Sequence, residues 1–312
     1  MFFLNDVPKG LYSAPWEIPG GAVSDVVNLQ EDGPQVIWDI YDRLVAQFPQ
    51  YVTKQTIDPE STYPLHRYTF TPPEIENTSD FIVNRFKVCI VTAVHGREQA
   101  CAWTAAHFFR LMCQNTQNPY LTYLRQNVVF DVVPVANPYG VAHNLRKNEN
   151  GVDLNRNYDV EFIAGRAPED SEYGGPFPCS ETQTRALMQF IEENADAQVV
   201  LDYHNIGKGY PLFYVYKQED AQLAFSLFTA LTPKWQAEYP ELPTDRILGR
   251  LKPNGHEGMF ADYLLSKNMW VLTMETPFCM PVIGKEKFDS TTIRCSLDVL
   301  VNTLLTILRA RG

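Results

Sequence analysis

Two histidines able to hold a metal ion, and a glutamate able to move a proton, fall at the ends of three separate apolar stretches. His95 closes "FKVCIVTAVHG" (86–96), with Glu98 three residues on; His204 falls in "AQVVLDYHN" (197–205) and Glu275 in "MWVLTMETP" (269–277). Two imidazoles and a carboxylate are the donor set of a catalytic zinc site, which keeps a fourth position for water. His95 and Glu98 on a strand-to-helix turn can both face one ion, and His204 completes the set. Water on such an ion drops in pKa toward about 7. It still needs a base, and Glu275 is a free carboxylate in a fitting place.

The elements that must position these groups are legible in the hydropathy pattern. Helical spacing runs over 37–49, 98–114, 179–194, 219–237, 256–267 and 289–310. Strand-like stretches fall at 51–56, 65–71, 86–96, 127–135, 197–205, 211–216 and 269–277. Ser180 is placed to cap the helix that follows it. Strands alternating with helices predict an α/β fold with a sheet between helical layers. In open α/β sheets, sites gather outside the carboxyl ends of the strands, and His95, His204 and Glu275 all lie there. Residues 1–34, rich in Pro and Gly, read as an irregular N-terminal arm, and 35–312 as a single catalytic domain. His107, by contrast, reads as a packed or surface helix residue.

A lone H-x-x-E is a weak signal. The decisive second cluster is "NPYGVAHNLRKNENGVDLNRNY" (137–158). H-x-R-E, N-P-x-G, an arginine ahead of G-V-D-L-N-R-N, a strand-closing histidine and a late glutamate, in that order, resemble the zinc carboxypeptidase family. The resemblance spans roughly residues 86–280 and leans toward bacterial and cytosolic members rather than secreted digestive ones. It implies a three-layer α/β/α architecture around a central mixed, mostly parallel twisted sheet. It also implies one Zn2+ per chain, held by His95, Glu98 and His204, with Glu275 as general base and later general acid. Arg146 is similar to the arginine that polarises the scissile carbonyl. Asn155 and Arg156 are similar to the pair that grips the substrate's free carboxylate. Asp153 is similar to an acid that orients a metal-bound histidine, and Arg97 would sit beside the substrate entry. A guanidinium suits carboxylate capture because it offers two parallel hydrogen bonds.

The stretch "TDRILGRLKPNGHEGM" (244–259) lacks the tyrosine that peptide-cutting members usually carry on a loop ahead of the glutamate. His256 is the residue there that could stand in. Arg246, Arg250 and Lys252 cluster near the expected rim of the side-chain pocket, as a solvated face or as a preference for acidic side chains. The expected activity is hydrolysis of a peptide bond near a free C-terminal carboxylate. The alternative is an amidohydrolase of the aspartoacylase or succinylglutamate desuccinylase type, acting on small N-acyl amino acids. A third reading, a binding module without catalysis, requires loss of a ligand or of the base, and all four are present.

Composition narrows the partners. The net charge of −11 and the lack of a Lys/Arg-rich stretch long enough to make a basic face disfavour nucleic acid. No apolar run is long enough to cross a membrane, and "MFFLNDVPKG" lacks a secretory pattern. Six cysteines without a C-x-x-C pair read as free, mostly buried thiols. Together these give the expectation of a cytoplasmic protein; oligomeric state is not legible.

Overall fold

The computed structural model describes residues 33–59, 63–72, 85–115, 117–207, 211–220, 248–251, 257–277 and 290–311. Eight strands among them form one sheet: β1 (Val52–Asp58), β2 (Leu65–Phe70), β3 (Phe86–Thr92), β4 (Val128–Val133), β5 (Val199–Ile206), β6 (Leu212–Val215), β7 (Leu248–Leu251) and β8 (Val271–Pro277). Their order is β1-β2-β4-β3-β5-β8-β6-β7. The centre, β4-β3-β5-β8, is parallel throughout. Antiparallel β2 and β1 extend one side, and β6, antiparallel to β8, extends the other, with β7 parallel to β6. The mixed sheet expected from the sequence is thus a parallel core with antiparallel flanks.

The central strands are near-continuous apolar runs because both faces are covered. Alternate residues enter two different cores. Val88 and Ile90 of β3, and Val199, Leu201 and Tyr203 of β5, face a core shared with α1 (Gln35–Gln47), α2 (Gln99–Gln114), α3 (Pro119–Asn127) and α7 (Ser290–Arg311). Cys89 and Val91, and Val200, face the other core with α5 (Thr182–Glu193) and α6 (Phe260–Ser266). This is the three-layer arrangement. Helix α2 is apolar nearly all round and packs between α1 and α7, so almost every residue is buried. Phe109 of α2 stacks on Phe70 of β2 with ring centroids 4.2 Å apart. Truncating such a buried ring costs about 3–5 kcal/mol.

Several expected boundaries shift. The strand expected over 86–96 ends at Thr92, because Ala93 turns with φ +54°. Ser180 does not cap α5. The helix begins at Thr182, and Ser180 instead donates to Glu181 Oε1 at 2.6 Å. Two helices had not been anticipated. In α3, Asn118 accepts from Tyr120 and Leu121 N–H and Pro119 opens the first turn; in α4 (Pro138–His143), Asn137 accepts from Gly140 N–H. His107 is a packed residue, stacked on Trp103. Cys89, Cys101, Cys113 and Cys295 are buried free thiols, and Cys179 is half-buried. The arm before residue 33, the helical pattern over 221–237, Arg246, Lys252, His256 and Cys279 lie outside the described residues, as does the side chain of Arg250. No helix among the described residues is long and apolar enough to cross a membrane.

Candidate metal centre

The chain leaves β3 through a strained turn that places His95. Ala93 sits in the left-handed region, unfavourable for a residue with a Cβ. Hydrogen bonds from Ala136 N to Thr92 O and from Asn137 N to Ala93 O, both 3.0 Å, hold the turn. Gly96 follows because nothing larger fits: a Cβ there would lie 2.0 Å from the carbonyl carbon of Gly140. The turn closes with Glu98 N donating to His95 O at 2.9 Å, and α2 begins at the next residue. His95 therefore lies three residues past the strand, delivered by a turn rather than by the strand end.

His204 and Glu275 are set by sheet parity. In the parallel pair β5/β8, Asp202 faces Thr273 and His204 faces Glu275 across the ladder. Alternation puts all four on the α5–α6 face of the sheet. Glu98 then joins the two histidines. Its Oε1 is 2.8 Å from His95 Nδ1, its Oε2 is 3.0 Å from His204 Nδ1, and Asn205 N–H donates to Oε2 at 3.2 Å. The imidazole centroids are 4.9 Å apart. One ligand atom from each of His95, Glu98 and His204 lies within 4.8 Å of the others, and all three residues are buried.

Behind each imidazole stands an acid. His95 Nε2 donates to Asp153 Oδ1 at 3.2 Å, and His204 Nε2 donates to Asp202 Oδ1 at 2.8 Å. Such partners fix the ring and its tautomer, leaving Nδ1 as the ligand atom. Asp202 was not singled out in the sequence. The signal was the D-x-H spacing in "LDYHN", which on a strand means a shared face. Asp202 Oδ2 also accepts from Thr273 Oγ1 at 3.0 Å, which lies 2.8 Å from Tyr216 Oη.

The electrostatics fit a cation. Glu98, Asp153, Asp202 and Glu275 crowd one region with Arg146 as the nearby guanidinium. Burial works against charge on His95, but Glu98 and Asp153 outweigh it and hold its pKa above the usual histidine value. For His204 the same contest is won by Asp202 and Glu98. Burial pushes Glu98 upward, yet the two histidines bring it well below the carboxylate range. Asp153 is likewise lowered against burial, by His95 and then Arg146. Glu275 goes the other way. Burial raises it to about 7, with His204 opposing and Glu98 adding to the rise. Two ring nitrogens converging on a carboxylate, with further acids behind them, suit a divalent ion of zinc's ligand taste.

The expected substrate-side residues surround this centre unevenly. Arg146 is close: Nε and Nη2 reach Asp153 Oδ2 at 2.9 and 2.7 Å, and Nη1 lies 3.4 Å from His95 Nδ1. Arg97 and Arg146 line a cleft of about 510 Å³ with Leu145, Lys147 and Glu172. Asn155 is buried, its Oδ1 accepting from Phe260 N–H at 2.9 Å. Arg156 is engaged by Glu172 at 2.6 Å and Glu257 at 3.1 Å. The loop carrying Arg146 and Asp153 is pinned by Asn148, which accepts from Val152 N–H and donates to buried Glu181 at 2.6 Å. Neither Asn148 nor Glu181 had been read as a site residue.

A parallel-centred α/β sheet with a His2Glu cluster at the carboxyl ends of its central strands defines a metallohydrolase-like architecture. A family model described as zinc carboxypeptidase matches residues 38–254, well over half of the sequence. The chain belongs to the zinc carboxypeptidase family. The matched span contains His95, Glu98 and His204, and Glu275 lies beyond it. Carboxypeptidase A1 of Rattus norvegicus is 28% identical over 221 residues, covering 63% of this chain and 51% of the rat protein. The chain spans about half the length of the curated relatives it matches. A carboxypeptidase A from Helicoverpa armigera superposes with a TM-score of 0.66 at 18% identity, over 87% of this chain and 72% of that one. A metallo-carboxypeptidase from Burkholderia cenocepacia gives 0.61 at 18%, over 86% and 67%. These superpositions establish the shared fold.

Proposed function

We propose that this chain is a zinc-dependent peptidase of carboxypeptidase type, hydrolysing a peptide bond near the substrate's free C-terminal carboxylate. The observation that carries the reading is the convergence of His95, Glu98 and His204 within 4.8 Å, beside a glutamate that faces His204 across the ladder. His95 Nδ1, His204 Nδ1 and the Glu98 carboxylate would hold the ion, with Asp153 and Asp202 fixing the two rings. When bound, zinc supplies Lewis acidity that polarises a carbonyl and lowers the pKa of water.

The chain's own groups do the rest. Glu275, which burial holds above the usual carboxylate range in the metal-free chain, would accept a proton from the attacking water and return it to the leaving amine. Arg146, held by two hydrogen-bonding contacts to Asp153, presents Nη1 toward His95 and would stabilise charge developing on the carbonyl oxygen. Removing a donor of that kind costs on the order of 100- to 1000-fold in rate. Asn155 and Arg156 would receive the terminal carboxylate, and Arg97 borders the entry.

A peptide library with varied C-terminal residues, screened with and without chelator, tests the reading. Chelator-sensitive release of single C-terminal residues is expected. Hydrolysis of N-acyl amino acids but not of peptides would replace the reading with the amidohydrolase one.

A further inference from the structure

Arg156, assigned above to the substrate's terminal carboxylate, already donates from both terminal nitrogens and has a second carboxylate within ion-pair distance of Nε, which makes no hydrogen bond. Nη1 donates to Asn155 O at 2.7 Å, Nη2 donates to Glu172 Oε1 at 2.6 Å, and Nε lies 3.1 Å from Glu257 Oε2. Arg166 shares both acids, 3.0 Å from Glu172 and 3.4 Å from Glu257. Two guanidiniums and two carboxylates leave the seat electroneutral, so an incoming carboxylate meets no net positive charge. We propose that Glu172 is a specificity-determining residue: its carboxylate occupies on Arg156 the seat of the substrate's terminal carboxylate and is displaced when substrate binds. This rests on the proposed reading of Arg156.

Geometry selects Glu172 over Glu257. Glu172 makes the shorter contact, and it lines the cleft with Arg97 and Arg146. Its side chain is 38% exposed against 11% for Arg156, so it can leave while the arginine stays. Arg166 Nη1 also donates to the Glu172 backbone oxygen at 3.0 Å. A displaced Glu172 therefore keeps a cationic partner beside it. The exchange swaps one charge-assisted pair for another, and the substrate must win only the difference.

The test is calorimetric binding of a panel of N-acetyl amino acids and of their C-terminal amides to the zinc-loaded protein. In Glu172→Gln the competing charge is gone. Affinity for the acids should rise about twofold to fivefold while the amides stay unchanged, as expected for loss of a partly exposed ion-pair competitor. Loss of packing would weaken both sets, so a gain confined to acids separates competition from a structural role. Acids that bind no better to the variant than to the parent, or no better than amides, overturn the proposal. Should Glu172→Gln fail to fold, Arg166→Gln supplies the check. Removing the alternative partner should weaken acid binding selectively, and an unchanged acid-to-amide ratio overturns the proposal. Hydrolysis is read separately. Acid-selective binding without peptide cleavage would sink the peptidase reading alone, whereas cleavage of free-acid peptides with no gain in Glu172→Gln would sink this one alone.

Discussion

Asp202 and His204 stand two residues apart on one face of β5, with Asp202 Oδ1 2.8 Å from His204 Nε2. Alternation along the strand forces both side chains to the same side, so the acid sits behind the imidazole without help from a loop. Asp153 does the same for His95 from 58 residues away in sequence. The centre therefore has one locally built support and one long-range support.

That relationship predicts the effect of Asp202→Asn. The amide keeps the shape but loses the charge that favours Nε2–H and leaves Nδ1 free to bind metal. Zinc affinity should fall about 10- to 100-fold, the usual cost of altering such a partner. Competition against a chromophoric chelator measures it. Parent-like affinity in a folded Asp202→Asn protein would show that His204 needs no support from behind.

Glu275 carries a prediction about pH. As the proposed base it can accept a proton only when ionised, and in the metal-free chain burial raises its pKa to about 7. In the zinc-loaded enzyme the cation's charge draws that value down, so the acid limb of kcat/KM should rise below about pH 7 and level off above it. The apparent value belongs to the coupled cluster rather than to one residue. Glu275→Gln should keep zinc, measured by elemental analysis, and lose about 100- to 10,000-fold in rate, the span usual for general acid–base catalysis. Near-normal turnover in that variant would reassign the base.

The same shift has a consequence for stability, with a definite sign. A carboxyl whose folded pKa is raised favours the fold in its neutral form. That contribution is fully present below about pH 4.5 and is lost as pH rises through about 7. In the metal-free protein, Glu275→Gln should thus melt higher than the parent at pH 8 and no higher at pH 4. Calorimetric scans at the two values decide it, and an equal offset at both would mean that burial of the charge is not the cause.

How much of this was legible in the sequence depends on the range of the interaction. The apolar runs of β3, β5 and β8 mark strands covered on both faces, while the mostly parallel sheet was what the family resemblance implied. His95, Glu98 and His204 stood out because metal-ligand chemistry restricts residue types. Other features lay beyond reach. The early end of β3 reflects Ala93 in the left-handed region, which no alanine signals in advance. The failed cap at Ser180 follows from a tertiary demand: Glu181 turns to the amides of Asn148 and Asn150. The occupation of Arg156 needed coordinates, since Glu172 and Glu257 approach it from separate segments. Asp202 differs from these, since D-x-H within an apolar strand places both side chains on one face.

The tight approach of Gly96 to Gly140 gives the last prediction. A methyl at Gly96 would meet backbone, 2.0 Å from Gly140 C and 2.3 Å from Val141 N, so no side-chain rotation relieves it. The turn between β3 and α2, or helix α4, must move. Overpacking against backbone should cost about 3 kcal/mol or more, lowering the melting temperature by about 5 °C or more at this chain size. Because His95 precedes Gly96 and the Arg146 carbonyl is tied to Asn137 at 3.2 Å, the same shift should weaken zinc binding. Gly151→Ala is the control. It has φ +70° but nothing within 4 Å of the added atom, so only the left-handed strain of about 1–2 kcal/mol applies. Melting and zinc titration of both variants separate crowding from strain. If Gly96→Ala loses no more than Gly151→Ala on both measures, the glycine contact is not what fixes the His95 turn.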